Sequence, residues 1–331
     1  MGQLAPRFGD IICTSPMRGD SCPAIVRDGR WCMRHAPANM LYILLGMLTA
    51  HVGLSYVRLL ILEQGVAQCV PATIVLNVNL SGTTSISEPS YQCCDKLRIF
   101  CYVNTFPKNY ESKALHVHHT WARRCTDYVF TSTQDHSHLP ILKLNLTQPE
   151  TRSHLWSKMR TILREVYKHA DHYDYFYKAD DDTYAVYENL QKILEFRSPT
   201  QPFMTGYLWR TLVKGGYFSG GSGYVLSREA LKRIVEEAID KHPKCPVVDE
   251  DKEDVKMSAC GQAVGVKLHE TIGPDGRSVF YPYDVGDYAE DVLTDRKTPM
   301  NPHHVSFHYV NASKMYIMEF SLYHLRPVGL R

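Results

Sequence analysis

Residues 173–184 read Tyr-Asp-Tyr-Phe-Tyr-Lys-Ala-Asp-Asp-Asp-Thr-Tyr. The alternating aromatic run describes a buried strand, and it delivers three carboxylates, Asp180, Asp181 and Asp182, to its carboxyl end. In an open α/β sheet that edge is where ligands bind. Adjacent carboxylates repel one another, and a divalent cation removes that cost. Mg²⁺ and Mn²⁺ prefer oxygen ligands and typically take one or two carboxylates together with substrate phosphates. The stretch therefore suggests a metal-bridged diphosphate, as in a nucleotide-sugar transferase. A solvated acidic turn is the plain alternative, because Asp182 or Thr183 would cap a following helix favourably.

Structure alternates on both sides of this strand. Residues 97–103, 128–132 and 141–144 are strand candidates, and 113–124 reads as a helix. The clearest helix is 153–169, with Leu155, Met159, Ile162, Leu163 and Val166 on one face at helical spacing. Val186, Leu190, Ile193 and Leu194 define another. Ser227 is a good N-cap for a helix that turns Leu231, Ile234, Val235 and Ala238 inward. Strand and helix alternate over 97–268, which predicts an α/β domain with a mostly parallel central sheet flanked by helices. No internal repeat interrupts it.

The chain has 331 residues, 44% of them hydrophobic, and a formal charge of +2, which gives no reason to expect nucleic acid. Its amino-terminal part differs from the rest. Residues 40–57 carry no formal charge and are broken only by His51, and 59–62 extend the run beyond Arg58. That length just suffices to cross a bilayer. Residues 1–36 hold five arginines against three aspartates, favouring a cytoplasmic amino terminus. The expected organisation is a cytoplasmic tail (1–38), a signal anchor (39–62), a stem (63–95) rich in Ser, Thr and Gly, and a lumenal domain (96–331). Three glycosylation sequons follow the anchor, at Asn79, Asn145 and Asn311. Seven of the ten cysteines do too: Cys69, Cys93, Cys94, Cys101, Cys125, Cys245 and Cys260. None has the paired spacing of a zinc site, so an oxidising lumen would turn them into disulfides. Seven is odd, so at least one is free or pairs between chains, and a homodimer is among the expected assemblies. Anchor, sequons and cysteines agree on a single-pass type II membrane protein.

Three further constellations carry possible chemistry. Ser219-Gly-Gly-Ser-Gly-Tyr224 precedes the Ser227-capped helix, and its glycines let a backbone turn sharply or approach a ligand. The spacing fits neither a dinucleotide fingerprint nor a P-loop, and a plain turn is the alternative. Residues 249–254, Asp-Glu-Asp-Lys-Glu-Asp, lead into a helical segment at 255–263. Acid at a helix start is favourable in itself, while a carboxylate there could also act as general base toward a hydroxyl acceptor. In His303-His-Val-Ser-Phe-His-Tyr309 alternation puts His304, Ser306 and His308 on one face and Val305, Phe307 and Tyr309 on the other. A histidine there is either a satisfied polar residue or a Mn²⁺ ligand beside carboxylate.

Taken in order, Thr120-Trp-Ala-Arg-Arg-Cys125, Lys178-Ala-Asp-Asp-Asp-Thr-Tyr184, Tyr217-Phe-Ser-Gly-Gly-Ser-Gly-Tyr224, Glu253-Asp-Val255, Val305-Ser-Phe-His-Tyr309 and Tyr323-His-Leu-Arg-Pro327 resemble the core 1 beta-1,3-galactosyltransferase family, relatives of the Fringe-type beta-1,3-glycosyltransferases. The resemblance covers about 97–327. It implies a GT-A fold, a Golgi or endoplasmic-reticulum membrane enzyme, UDP-galactose as donor, Mn²⁺ as cofactor and GalNAc on Ser or Thr of a glycoprotein as acceptor. It places the metal on Asp180, Asp182 and His308. Donor contacts fall on Thr105, Lys178, Asp180, Asp181, Tyr217, Gly220 and Gly221. The base is Asp254, with Glu253 as the less favoured candidate. The resemblance also pairs Cys101 with Cys125 and Cys245 with Cys260.

One departure concerns the acceptor. Between Tyr283 and Val305 the family has a longer insert dense in Trp and Tyr, followed by a cysteine pair. Here 284–304 holds Tyr288 as its sole aromatic apart from histidines, and no cysteine. Aromatic faces are what stack on a sugar ring, so the acceptor side is altered while the donor side is intact. That asymmetry fits a divergent paralogue with a different acceptor. A catalytically retired chaperone-like relative is the competing class, but such a chain should have lost acidic residues from the metal motif. A metal-dependent phosphohydrolase would need residues positioning a water, and the sequence offers no such arrangement.

Overall fold

Strand pairing builds the molecule outward from the aspartate strand. The computed structural model describes residues 97–273, 275–294 and 300–326, with a short antiparallel pair, β1 (Asn77–Val78) and β2 (Thr84–Ser85), ahead of them. The tail and anchor expected over 1–62, most of the stem, and Cys69, Cys93, Cys94 and Asn79 lie outside the described residues. Among the described residues no helix is long and apolar enough to cross a membrane.

The main sheet has seven strands: β3 (Ile99–Asn104), β4 (Asp127–Ser132), β5 (Ile141–Lys143), β6 (Tyr175–Asp180), β8 (Phe203–Gly206), β11 (Tyr224–Ser227) and β12 (Lys267–Glu270), in the spatial order β12-β8-β11-β6-β3-β4-β5. The pairs β6–β3, β3–β4, β4–β5 and β8–β12 are parallel. β11 alone runs against its neighbours β6 and β8. The sheet is thus mostly parallel, as predicted. β11 was hidden in the sequence because Tyr224-Val-Leu-Ser follows the glycine loop directly and reads as an approach to the next helix. Gly223, at φ +79°, reverses the chain there in a conformation that L side chains disfavour.

Alternation along the strands feeds two cores. Ile99, Cys101, Val103, Tyr175, Tyr177, Ala179 and Val225 face one side, where they meet Trp121, Tyr184 and Leu190. Phe100, Tyr102, Phe176, Met204, Tyr224 and Leu226 face the other, against Trp156, Met159, Leu231 and Met257 from the helices. Burial on both faces is what a sheet sandwiched by helices requires. The Leu155–Tyr167 helix buries Met159, Ile162, Leu163 and Val166 as its spacing predicts, but Trp156 and Lys158 are buried as well. Lys158 is tolerated because its ammonium pairs with Glu150 at 2.7 Å and donates to the Thr105 carbonyl. Ser227 caps the Arg228–Arg233 helix, its hydroxyl accepting the Ala230 N–H at 3.1 Å.

Residues 113–124 are not one helix. A π-helical turn (Tyr110–Ala114) runs into a short α-helix (Leu115–His119), which breaks at Thr120 (φ −111°, ψ −112°) before a 3₁₀ turn (Trp121–Arg124). The break turns Trp121 inward, fully buried, where its indole N–H donates to the Thr183 carbonyl at 2.8 Å. A local propensity for helix yields here to a tertiary hydrogen bond.

Both disulfides implied by the family resemblance form, Cys101–Cys125 and Cys245–Cys260. The second joins the loop before the acidic run to the Glu253–Ala263 helix across 15 residues. Closing a loop of that length is worth about 3 kcal/mol through the unfolded chain. Replacing Cys245 and Cys260 together by serine is expected to cost about that much in denaturant titrations, and an unchanged midpoint would show the bond contributes nothing.

Candidate active site

The aspartate triplet is split by the turn that follows β6. Asp180 ends the strand at the carboxyl edge, Asp181 and Asp182 form the turn, and β7 (Tyr184–Ala185) leads away. Thr183 fixes the turn: its hydroxyl accepts the Asp180 N–H at 3.0 Å and donates to the Gly221 carbonyl at 2.7 Å. A second sheet, β13 (Phe280–Tyr281), β14 (Ser306–Phe307) and β7, then carries His308 to the same place, and the Val310 N–H donates to the Asp182 carbonyl at 2.9 Å.

Asp180 and Asp182 point into the site and Asp181 points inward. Asp181 is buried, accepting from Thr105 Oγ1 at 2.7 Å and Asn109 Nδ2 at 2.9 Å. Burial pushes its carboxyl up to about 6 despite those donors. Asp182 lies 3.2 Å from His308 Nε2 and 2.8 Å from Lys113 Nζ. Burial alone would raise its pKa, but His308 and Lys113 outweigh it and hold the carboxylate well below its usual range. A cavity of about 260 Å³ opens beside Asp182, lined among others by Ser112, Lys113, Tyr309 and Asn311.

Asp180, Asp182 and His308 each bring a ligand atom within 4.8 Å of the others. Two carboxylates and an imidazole suit Mn²⁺. Next to them Asn104, 6% exposed, donates weakly to Asp180 at 3.4 Å, while its carbonyl oxygen has no hydrogen-bond partner. An orphan acceptor in such a place marks room for a donor from outside the protein. The residues present therefore fit a hydrated divalent cation and its ligand. Its part would be Lewis-acid stabilisation of charge on a leaving diphosphate.

The glycine loop packs against this group. A Cβ on Gly221 would sit 2.0–2.3 Å from the His308 ring atoms, and one on Gly220 would sit 2.7 Å from Glu253 Oε1. Gly221→Ala is accordingly expected to leave the fold intact but push the imidazole aside, lowering Mn²⁺ affinity by about ten- to a hundredfold. Isothermal titration with Mn²⁺ checks this; unchanged affinity would remove His308 from the ligand set.

The acidic run divides into structural and exposed members. Asp249 accepts from His154 Nδ1 at 2.7 Å and the Ser157 N–H at 2.8 Å, and Glu250 pairs with Lys256 at 3.1 Å. Glu253 is buried against Lys178 at 2.9 Å and accepts from the Tyr224 hydroxyl at 3.2 Å. Lys178 also meets Asp180 at 2.8 Å and donates to the Gly220 carbonyl at 3.1 Å. Burial would lower the lysine pKa, but Asp180 and Glu253 prevail and keep it protonated. Asp254, one residue further on, is half-buried and accepts the Gly220 N–H at 3.0 Å. Its pKa is raised by burial, with the Gly220 N–H opposing. Two adjacent carboxylates are thus sorted by environment, one locked in an ion pair and one facing the site.

Other expected residues fall as follows. Thr105 spends its hydroxyl on Asp181, and Tyr217 stands on β10 (Tyr217–Phe218), which pairs with β9 (Leu208–Trp209) just ahead of the glycine loop. His303 and His304 do not join the aspartates: the His304 ring packs on Phe307 and its carbonyl accepts from Asn189. The predicted face Val305-Phe307-Tyr309 ends early, because Tyr309 adopts φ +57° and turns out to 59% exposure. Asn104 and Lys113 were missed. Asn104 lay open to inference as the last residue of a strand neighbouring the aspartate strand; Lys113 carried no local signal.

Residues 94–272, which span every strand of the main sheet, match the family described as Fringe-like. The chain belongs to the Fringe-like family. Relatives of this family member include glycoprotein-N-acetylgalactosamine 3-beta-galactosyltransferase 1 of Xenopus laevis, 29% identical over 281 residues, 79% of this chain and 75% of that protein. The beta-1,3-glucosyltransferase of Homo sapiens is 24% identical over 223 residues, 66% of this chain and 43% of that protein. The affinity to beta-1,3-galactosyltransferases read from the motifs is supported by both family and relatives. Similar solved structures are a glycosyltransferase involved in glycosylation of the major capsid of PBCV-1 (13% identical, TM-score 0.37, covering 68% of this chain and 99% of that one) and the galactosyltransferase LgtC in complex with donor and acceptor sugar analogs (12% identical, TM-score 0.39, 69% and 97%).

Proposed function

We propose that this chain is a metal-dependent, inverting glycosyltransferase of GT-A fold that moves galactose from UDP-galactose to the 3-hydroxyl of GalNAc on Ser or Thr of a glycoprotein. The observation that carries the reading is the convergence of Asp180, Asp182 and His308 within 4.8 Å at the sheet edge, with Asp254 held by Gly220 alongside. Asp180, Asp182 and His308 would hold Mn²⁺. Asp254 takes the proton from the acceptor hydroxyl as its oxygen bonds to the sugar C1, and the bond from C1 to UDP breaks with its electrons leaving on UDP. A single displacement converts an α-linked donor to a β-linked product and needs no enzyme nucleophile, as inverting glycosidases differ from retaining ones. Lys178 stays charged between Asp180 and Glu253, which supports its role in holding the Asp180 carboxylate in place for the ion. With the expected anchor and sequons, the reading places the enzyme in the Golgi or endoplasmic-reticulum membrane, catalytic domain lumenal.

A second reading keeps the donor chemistry and changes the acceptor. It is favoured by the loss of the aromatic insert over 284–304. A retired binding partner is disfavoured, because Asp180, Asp182, His308 and Asp254 are all present and assembled.

The deciding experiment assays UDP release from UDP-galactose with Mn²⁺, with and without a GalNAc-Thr peptide, using residues 63–331 secreted from cells that form disulfides. Peptide-dependent release with a β1,3-linked product is expected. UDP binding without transfer to that peptide would move the reading to another acceptor, and absence of UDP binding would overturn it.

A further inference from the structure

Tyr207, Trp209 and Tyr283 form an aromatic cluster, linked through the backbone to the glycine loop and to His308, that no step above uses. The Tyr207 and Trp209 ring centroids are 4.9 Å apart, and Tyr283 stands 6.3 Å from Trp209. Leu208, between the first two, faces the opposite way and packs on the helix-covered core. None of these rings is fully buried: Tyr207, half-buried, packs on the edge of the first core, Trp209 is half-buried and Tyr283 is 49% exposed.

Both ends of the cluster are tied to the site. The Tyr283 carbonyl accepts the His308 backbone N–H at 3.2 Å, one residue contact from the metal group. Trp209 lies directly across from Tyr217 in the β9–β10 pair, and cross-strand partners share a face. The Tyr207 carbonyl accepts the Ser219 N–H at 2.9 Å, and the next residue, Gly220, holds Asp254. The aromatic face is therefore continuous with the backbone that positions the base.

Flat rings with polar rims match a hexopyranose, whose ring presents C–H groups on one face and hydroxyls at its edge. The described residues of 284–304 bring one further ring, Tyr288, which adjoins Tyr207 and Tyr283 from the core side. This ring, the segment's single aromatic outside the histidines, is turned inward onto Tyr281 and Phe307, at 4.7 and 6.1 Å. We infer that Tyr207, Trp209 and Tyr283 are the platform on which the acceptor's hexopyranose ring stacks, with its nucleophilic hydroxyl toward Asp254. This rests on the transferase reading of the site. It relocates the acceptor contact from the lost insert to the hairpin before the glycine loop.

Trp121 and Trp156 are fully buried, so among the described residues Trp209 is the tryptophan placed to report a ligand. The full-length chain in mild detergent, with Mn²⁺ and UDP, is titrated with the methyl α-glycosides of N-acetylgalactosamine, galactose, N-acetylglucosamine and fucose while tryptophan emission is followed. At least one sugar is expected to give a saturable change. Tyr283→Ala, which leaves the backbone contact to His308 in place, should weaken that sugar about tenfold with UDP affinity unaltered. Trp209→Leu should raise the acceptor KM by a similar factor without changing donor KM. UDP bound but no response to any sugar, or equal sugar affinity in Tyr283→Ala, would overturn the platform alone. Failure of the wild-type chain to bind UDP would overturn the transferase reading beneath it.

Discussion

Asp182→Ala is expected to abolish the Mn²⁺ dependence of UDP binding. The side chain would supply one of three ligand atoms on the proposed reading, and it is also the anion that faces His308 at 3.2 Å and Lys113 at 2.8 Å. Removing it deletes a ligand and leaves two basic groups facing the remaining carboxylate. The loss should exceed the roughly 10–100-fold that removing an outer-sphere partner costs. Titration calorimetry of UDP with and without Mn²⁺ reads it directly, and Mn²⁺-dependent UDP binding at wild-type strength would move the metal elsewhere. Asp181 makes the informative contrast. Its carboxylate is occupied by Thr105 and Asn109, so Asp181→Asn should lower the melting temperature while retaining the ion.

Asp254→Asn should stop transfer and spare donor binding. Asparagine keeps the shape and can still accept the Gly220 N–H, but it cannot take a proton. A fall in kcat of about 10²–10⁴ with unchanged UDP affinity is expected, the range that a positioned general base contributes. Full transfer by this variant would put the base elsewhere. Burial raises the Asp254 pKa, and the base acts as carboxylate, so transfer should decline as pH falls through a value above the ordinary aspartate range. Glu253→Gln should behave differently. Glu253 is 3% exposed and pairs with Lys178, 1% exposed, so losing its charge leaves the buried lysine to Asp180 and the Gly220 carbonyl alone and should destabilise the fold. Its signature is instability across all assays rather than a kcat effect.

The sheet and its loaded edge were legible because both are written in short-range pattern. Alternating aromatics announced β6, Ser227 announced its helix, and the carboxylates sat where an α/β sheet binds ligands. What escaped depended on distant partners. Thr120 breaks a helix-like stretch because Trp121 reaches Thr183, 62 positions away. β11 is a strand because Gly223 reverses the chain beside Tyr177. In the site, the ranking of Asp254 over Glu253 came with the family resemblance. Only the fold supplies its reason, since Lys178 arrives from another strand to claim Glu253. Alternation left His304 and His308 on one face and the resemblance chose His308; the fold gives the reason, bringing that ring to Asp180 and Asp182 while His304 packs on Phe307.

Lys113 gives the candidate metal site a counter-charge of its own. Its ammonium lies 2.8 Å from Asp182 and 3.6 Å from Asp181, and so offsets part of the charge that these carboxylates share. A divalent cation held by Asp180, Asp182 and His308 would compete with the Lys113 ammonium for Asp182, so its binding would be an exchange of charge rather than an addition. On the proposed reading, chelators should stop transfer without melting the chain.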